Sequence, residues 1–304
     1  MAVVTTPSPR TDRRTRSVSA TPRAFYWMVL PACALFFLLH TVPVLQGVYY
    51  SLTDYAGYGD HEFVGLRNYL NLFEDERVWD AYAFTFRFAV VSTVLVNVLA
   101  LALALGLNAR IRFRTALRGV FFVPNVLPIL IVGYVFNYLF SNSLPALGEK
   151  LGVTALSSSI LADPDLAWVG VVVVAVWQAT AFNMIVYLAG LQTVPSELYE
   201  AATVDGANAW QRFRSVTLPL IVPFLAINTV LSFKNFLQVF DHIVALTGGG
   251  PGSATTSVSY LIYTGGFEGG EYAYQTADAV VYFVVIVVFS LVQLRLLQRR
   301  EVSL

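Results

Sequence analysis

"WVGVVVVAVWQATAFNMIVYLAGL", residues 168–191, runs through 24 positions without one charged side chain. A helix gains about 1.5 Å per residue, so about 20 mostly apolar residues cross a bilayer core. Five further runs meet that length, at roughly 25–50, 84–108, 119–140, 219–246 and 275–297. The chain as a whole agrees: of 304 residues, 57% are hydrophobic and 12% charged. A soluble domain carries about 25% charged residues, so the missing charge points to lipid rather than to a large core. The sequence therefore predicts an all-α membrane protein with six transmembrane helices.

The basic residues set the orientation, because Lys and Arg collect on the cytoplasmic side. Arg10, Arg13, Arg14, Arg16 and Arg23 precede the first run, and Arg110, Arg112, Arg114 and Arg118 follow the second. Arg212 and Arg214 follow the fourth, and Arg295, Arg299 and Arg300 close the chain. The opposite side holds only Arg67, Arg77 and Lys150. Both termini are thus expected in the cytoplasm. Residues 1–24, rich in Ser, Thr, Pro and Arg, read as a disordered tail; 25–298 form the membrane domain, and 299–304 a short second tail. A net charge of zero disfavours nucleic acid as a partner. The lone Cys33 excludes a disulfide framework and a cysteine metal site, and no metal site is expected. The acidic first outer loop, 51–83, is either a docking surface or a solvated cap. The glycines of the outer loop 247–274 lack the Lys and helix start that a phosphate cradle needs.

One connector is built with more care than its position requires. "PSELYEAATVDGANAWQRFRSVTLP", residues 195–219, lies within the loop at about 192–218. Ser196 reads as an N-cap, 197–204 as a helix, and Asp205-Gly206 as a turn. A second short helix follows near 208–215, with Trp210 and Phe213 on one side. Ala201 and Ala202 make a smooth surface beside the carboxylates of Glu197 and Glu200. That helix either lies on the membrane surface or enters a groove on another protein, where an Arg or Lys meets its carboxylates.

The residue pattern favours the groove. Glu200, Ala201, Ala202, Gly206, Val216, Leu218 and Pro219 match E-A-A, three residues, G, nine residues, an aliphatic, one residue, L-P. This resembles the cytoplasmic loop of the membrane subunits of binding-protein-dependent ABC importers. "FVGLRNYLNLF" (63–73), "VPNVLP" (123–128), "VWQATAF" (176–182) and "LTGGGPGSATTSVSYLIYTGGF" (246–267) resemble the carbohydrate, maltose-type branch. Phe136 departs from the Trp of many relatives, and the outer loop at 141–166 is compact. The resemblance implies the type I ABC importer permease fold with a cytoplasmic coupling helix, in a bacterial cytoplasmic membrane. It implies a second permease, a pair of ATPase subunits below and a solute-binding protein above. Glu197, Glu200, Ala201, Ala202, Asp205 and Gly206 would couple to the ATPase. ATP and Mg would be held by that partner, since this chain has no phosphate loop, binds no cofactor and is not itself an enzyme.

Polar groups inside a membrane are costly and usually face a cavity. Asn228, Ser232, Asn235, Val239 and His242 recur at helical spacing, with Phe236 on the border. A second stripe holds Lys234, Gln238 and Asp241. Amides, carboxylates and flat aromatic rings are the chemistry of sugar binding, and Trp177, Gln178 and Phe182 repeat it on the fourth run. The resemblance supports Trp177, Phe182, Ser232, Asn235 and Phe236 as pore residues. Asn228, Lys234, Gln238 and Asp241 are open between the pore and a contact with the second permease, and Trp177 between pore and packing. His242, near the outer end, reads as an interfacial or packing residue rather than a ligand, and His40 has no evident partner. The competing classes are an ion-driven secondary transporter, which would show internal repeats, and an intramembrane hydrolase, which three scattered histidines serve poorly. Within the ABC reading, the alternative to a sugar is glycerol phosphate or another small solute, such as an amino acid.

Overall fold

The computed structural model describes residues 23–109 and 111–298. The two predicted tails lie almost wholly outside them. Among the described residues, six helical stretches are long and apolar enough to span a membrane: Tyr26–Tyr50, Glu76–Asn108, Ile129–Leu151, Ala167–Thr193, Ala209–Leu237 and Tyr272–Leu296. The first consists of α1 (Arg23–Phe36) and α2 (Val42–Tyr50), joined through a wide turn at Phe37–Thr41. None of its described residues is buried. His40, expected to have no partner, rests its ring 4.9 Å from that of Phe36.

Beyond that helix come α3 (Arg67–Leu72), α4 (Glu76–Asn108), α5 (Arg114–Val126), α6 (Ile129–Tyr138) and α7 (Leu144–Leu151). The second predicted run starts eight residues late, because Asp75 caps α4 at its outer end, accepting from the Arg77 amide at 2.9 Å. Arg77 also pairs with Asp75 at 2.9 Å and Glu271 at 3.4 Å. At 33 residues α4 is about 50 Å long, well beyond the hydrocarbon thickness. The Arg77 guanidinium holds the Asp75 carboxyl below the usual carboxylate range.

At the centre stands α8 (Ala167–Thr193), which packs on α4, α5 and α11 (Leu218–Leu237). It is apolar on nearly every side, the signature of a helix buried all round. Its N-terminal half shares a core with Phe84, Phe88, Val96, Phe236 and Ile243, and its C-terminal half with Ala100, Ala104 and Ile221. A third core joins α3, α4, α13 (Val258–Tyr263) and α14 (Tyr272–Gln298).

Two predicted runs are cut. The third, 119–140, breaks at Leu127, which is extended (φ −76°, ψ 134°) ahead of Pro128. The fifth, 219–246, ends as α11 (Leu218–Leu237) and resumes as α12 (Asp241–Leu246). Backbone carbonyls freed inside a membrane need donors. Here Tyr282 Oη donates to Leu237 O, and Ser257 Oγ to Val239 O at 2.7 Å. The face predicted to run unbroken from Asn228 to His242 is therefore two faces, and so is the stripe from Lys234 to Asp241.

Short α12 lies against α6 because Gly133 faces Ala245; a Cβ at Gly133 would overlap the Ala245 methyl. Small residues let membrane helices approach closely. Gly133→Val should therefore destabilise the chain by about 1–3 kcal/mol, the usual effect of overpacking. Thermal unfolding in detergent measures it, and an unchanged midpoint refutes the close-packing role.

Candidate functional site

The two cuts meet around one cavity of about 430 Å³. From α8 come Gln178, Phe182 and Asn183; from α11, Asn235 and Phe236; from the cut beyond it, Gln238, Val239 and Phe240. Asp241 and His242 arrive on α12, and Asn125, Leu127 and Ile129 border the α5–α6 cut. The wall is thus amide-rich and aromatic, with Asp241 as its one carboxylate among the described residues.

Of the predicted pore residues, Gln178, Phe182, Asn235, Phe236 and Val239 line this cavity, together with Gln238 and Asp241. Gln178 is committed elsewhere, however. Its Nε2 donates to Pro124 O at 3.2 Å and Leu127 O at 2.9 Å, supplying donors to the carbonyls freed where α5 stops. Its Oε1 lies 3.2 Å from His242 Nε2. Gln178 therefore braces the wall rather than offering it a free amide.

Four predicted residues lie off the wall. Trp177 packs its ring 5.3 Å from that of Phe136. Ser232 Oγ donates to Asn183 Oδ1 at 2.8 Å, and Asn228 Nδ2 to Asn183 O at 3.1 Å. Both are buried against α8, because a polar stripe can serve a helix contact as well as a pore. Lys234 is exposed, and no ion pair joins it to Asp241 among the described residues. The sequence reading missed Asn183, which both lines the cavity and receives Ser232. Its signal was available: it is an amide in an otherwise apolar run, five residues after Gln178. A parallel tie sits one turn further along α8, where Tyr187 Oη donates to Asn97 Oδ1 of α4 at 2.5 Å.

The predicted coupling stretch folds as α9 (Ser196–Val204) and α10 (Ala209–Arg212), the latter running through a wide turn at Phe213–Thr217 into α11. Ser196 is the first helical residue rather than the cap; Pro195 holds the cap position. Gly206 takes φ +77°, and Ala207 N donates back to Ala202 O at 2.9 Å. Asn208 and Gln211 then exchange bonds as a capping box. Tyr199 Oη meets Thr217 Oγ1 at 3.0 Å, and Arg212 Nη1 donates to Thr203 Oγ1 at 3.0 Å. The Trp210 and Phe213 rings stand 5.5 Å apart. Glu197, Glu200, Ala201, Asp205 and Gly206 are exposed, Ala202 is half-buried, and no residue of α9 is buried. The helix is thus held at its rear and open along its front.

The chain belongs to the family of binding-protein-dependent transport system inner membrane components, whose profile matches residues 79–302. With six apolar helices, it is a multi-pass membrane protein and a transport permease. It is 38% identical to the multiple sugar-binding transport system permease protein of Streptococcus mutans, over 86% of this chain and 90% of the relative. It is 36% identical to the trehalose/maltose transport system permease protein of Thermococcus litoralis, over 89% and 92%. The fold superposes on a chain of a bacterial alginate ABC transporter, crystallised in complex with its alginate pentasaccharide-bound periplasmic protein. The TM-score is 0.82 at 25% identity, covering 92% of this chain and 96% of that one.

Proposed function

We propose that this chain is one membrane half of an ATP-driven, binding-protein-dependent importer of sugars, with oligosaccharides as the substrate class. It forms the pore with a second permease, receives substrate from an extracytoplasmic solute-binding protein, and couples to separate ATPase subunits through α9. ATP and Mg belong to those subunits, and both termini face the cytoplasm, where the basic residues collect. The observation that carries the substrate class is the cavity wall: amides from Asn125, Asn235 and Gln238 beside the rings of Phe182 and Phe236. Amides bond hydroxyls in both directions, and flat rings cover the apolar face of a sugar. The same wall argues against glycerol phosphate. It carries a carboxylate, Asp241, and no Lys or Arg among its residues, so it offers a phosphate group repulsion and no counter-charge.

The test is uptake of labelled maltotriose and a panel of other sugars by the assembled complex in proteoliposomes. Uptake should require ATP and persist when ion gradients are collapsed. Asn235→Ala, which removes one amide from the wall, should slow uptake about tenfold without changing recovery of the complex, in line with the loss of about 1–1.5 kcal/mol. Uptake driven by a proton or sodium gradient, or wild-type kinetics in Asn235→Ala, would sink the reading.

A further inference from the structure

The hydrogen bonds at Gln178 fix more than the wall. Backbone carbonyls only accept, so the side-chain atom of Gln178 that faces Pro124 O and Leu127 O, at 3.2 and 2.9 Å, is its NH₂ group. Its other atom, Oε1, is then an acceptor, and the His242 Nε2 facing it at 3.2 Å is the donor. A neutral imidazole with its proton on Nε2 carries a lone pair on Nδ1. The Gln178 acceptor calls for one ring proton, on Nε2, and the neutral imidazole supplies it while leaving Nδ1 open. Nδ1 makes no hydrogen bond among the described residues, and it is not one of the sealed polar atoms. His242 itself lines the cavity.

We infer that His242 is a substrate-binding residue of the translocation cavity, accepting a hydrogen bond from a sugar hydroxyl on Nδ1 while Gln178 holds its ring. This rests on the sugar reading above and adds a residue to that site. Its position suits the role. It comes from α12, beside Gln178 of α8, and lines the same cavity as the Phe182 ring, so a sugar held there meets both a fixed acceptor and a flat aromatic surface. The neighbouring amides can turn to donate or accept, whereas Nδ1 of this tautomer can only accept. It therefore selects for a hydroxyl and against an acceptor-only substituent such as an O-methyl group.

Two substitutions separate the ring's two jobs. In His242→Gln the side-chain amide reaches the place of Nε2, keeps the bond to Gln178 and loses the acceptor. In His242→Asn the amide reaches the place of Nδ1, keeps the acceptor and loses the brace. Maltotriose uptake by the full complex, at saturating binding protein, should show KM raised about three- to tenfold in His242→Gln, with an unchanged unfolding midpoint. His242→Asn should lower that midpoint and raise KM less. Monodeoxy maltotrioses complete the cycle: one of them should lose three- to tenfold on the wild type and nothing further on His242→Gln. Wild-type KM in His242→Gln, equal KM in both variants, or deoxy losses that simply multiply with the substitution would overturn the assignment. A wild-type complex that moves none of a sugar panel overturns the sugar reading, and the assignment with it.

Discussion

Gln178→Leu is expected to abolish uptake and to lower the unfolding temperature more than any other change to the cavity wall. Leucine fills much the same space, so the effect comes from hydrogen bonds rather than volume. Two backbone carbonyls, Pro124 O and Leu127 O, lose the amide that bonds them, at a depth where water is scarce. His242 Nε2 loses its acceptor as well. Each abandoned buried group costs about 1–3 kcal/mol, against a total stability of about 5–15 kcal/mol. The α5–α6 cut should then relax and the cavity lose its shape. Gln178→Glu is a sharper version, since a carboxylate would turn acceptors toward the same two carbonyls. Unfolding in detergent and uptake in proteoliposomes give the two readouts. A leucine variant that transports like the wild type would show that the brace is dispensable.

The second large effect should come from Gly206→Val. The residue sits at φ +77°, where a side chain costs about 1–2 kcal/mol and a β-branched one is least tolerated. Nothing crowds the position, because a Cβ there would meet no atom within 4 Å. The whole penalty is therefore backbone strain. That strain is most easily relieved by swinging α9, which buries no residue and is held by Tyr199, Arg212 and the turn itself. Uptake should fall more than tenfold and loaded binding protein should no longer stimulate ATP hydrolysis, while the permease inserts at normal yield. Full stimulation in this variant would remove α9 from the coupling path.

The sequence made some of this legible and hid the rest for physical reasons. Six apolar runs were readable because bilayer thickness imposes a length on each. The turn at Asp205-Gly206 was readable because a glycine there obeys local rules that need no tertiary context, whereas the Asn208–Gln211 box went unread. The cuts in the third and fifth runs were not. Proline alone does not reveal them, since α5 continues through Pro124 and α11 through Pro223, while the chain breaks at Leu127-Pro128. What decides is whether distant side chains arrive to bond the freed carbonyls, as Gln178, Tyr282 and Ser257 do. Spacing likewise placed Asn228 and Ser232 on the face of Asn235. It could not tell a stripe that lines a cavity from one that grips a neighbouring helix. His242 was set aside as packing because its value depends on the orientation of Gln178, which only the folded chain reveals.

The bonds from Tyr187 to Asn97 and from Ser232 and Asn228 to Asn183 have a mechanical meaning. They pin α4 to α8 and α8 to α11 at two depths, while Gln178 pins the α5–α6 cut to the same post. Four helices joined in this way have little freedom to slide past one another without stranding polar groups in lipid. On the proposed reading, a push on α9, which follows the C-terminal end of α8, would be passed to the cavity with little slack. The chain would then act as one arm of a pair of tongs, stiff along its length, and its pivot would be the contact with the second permease.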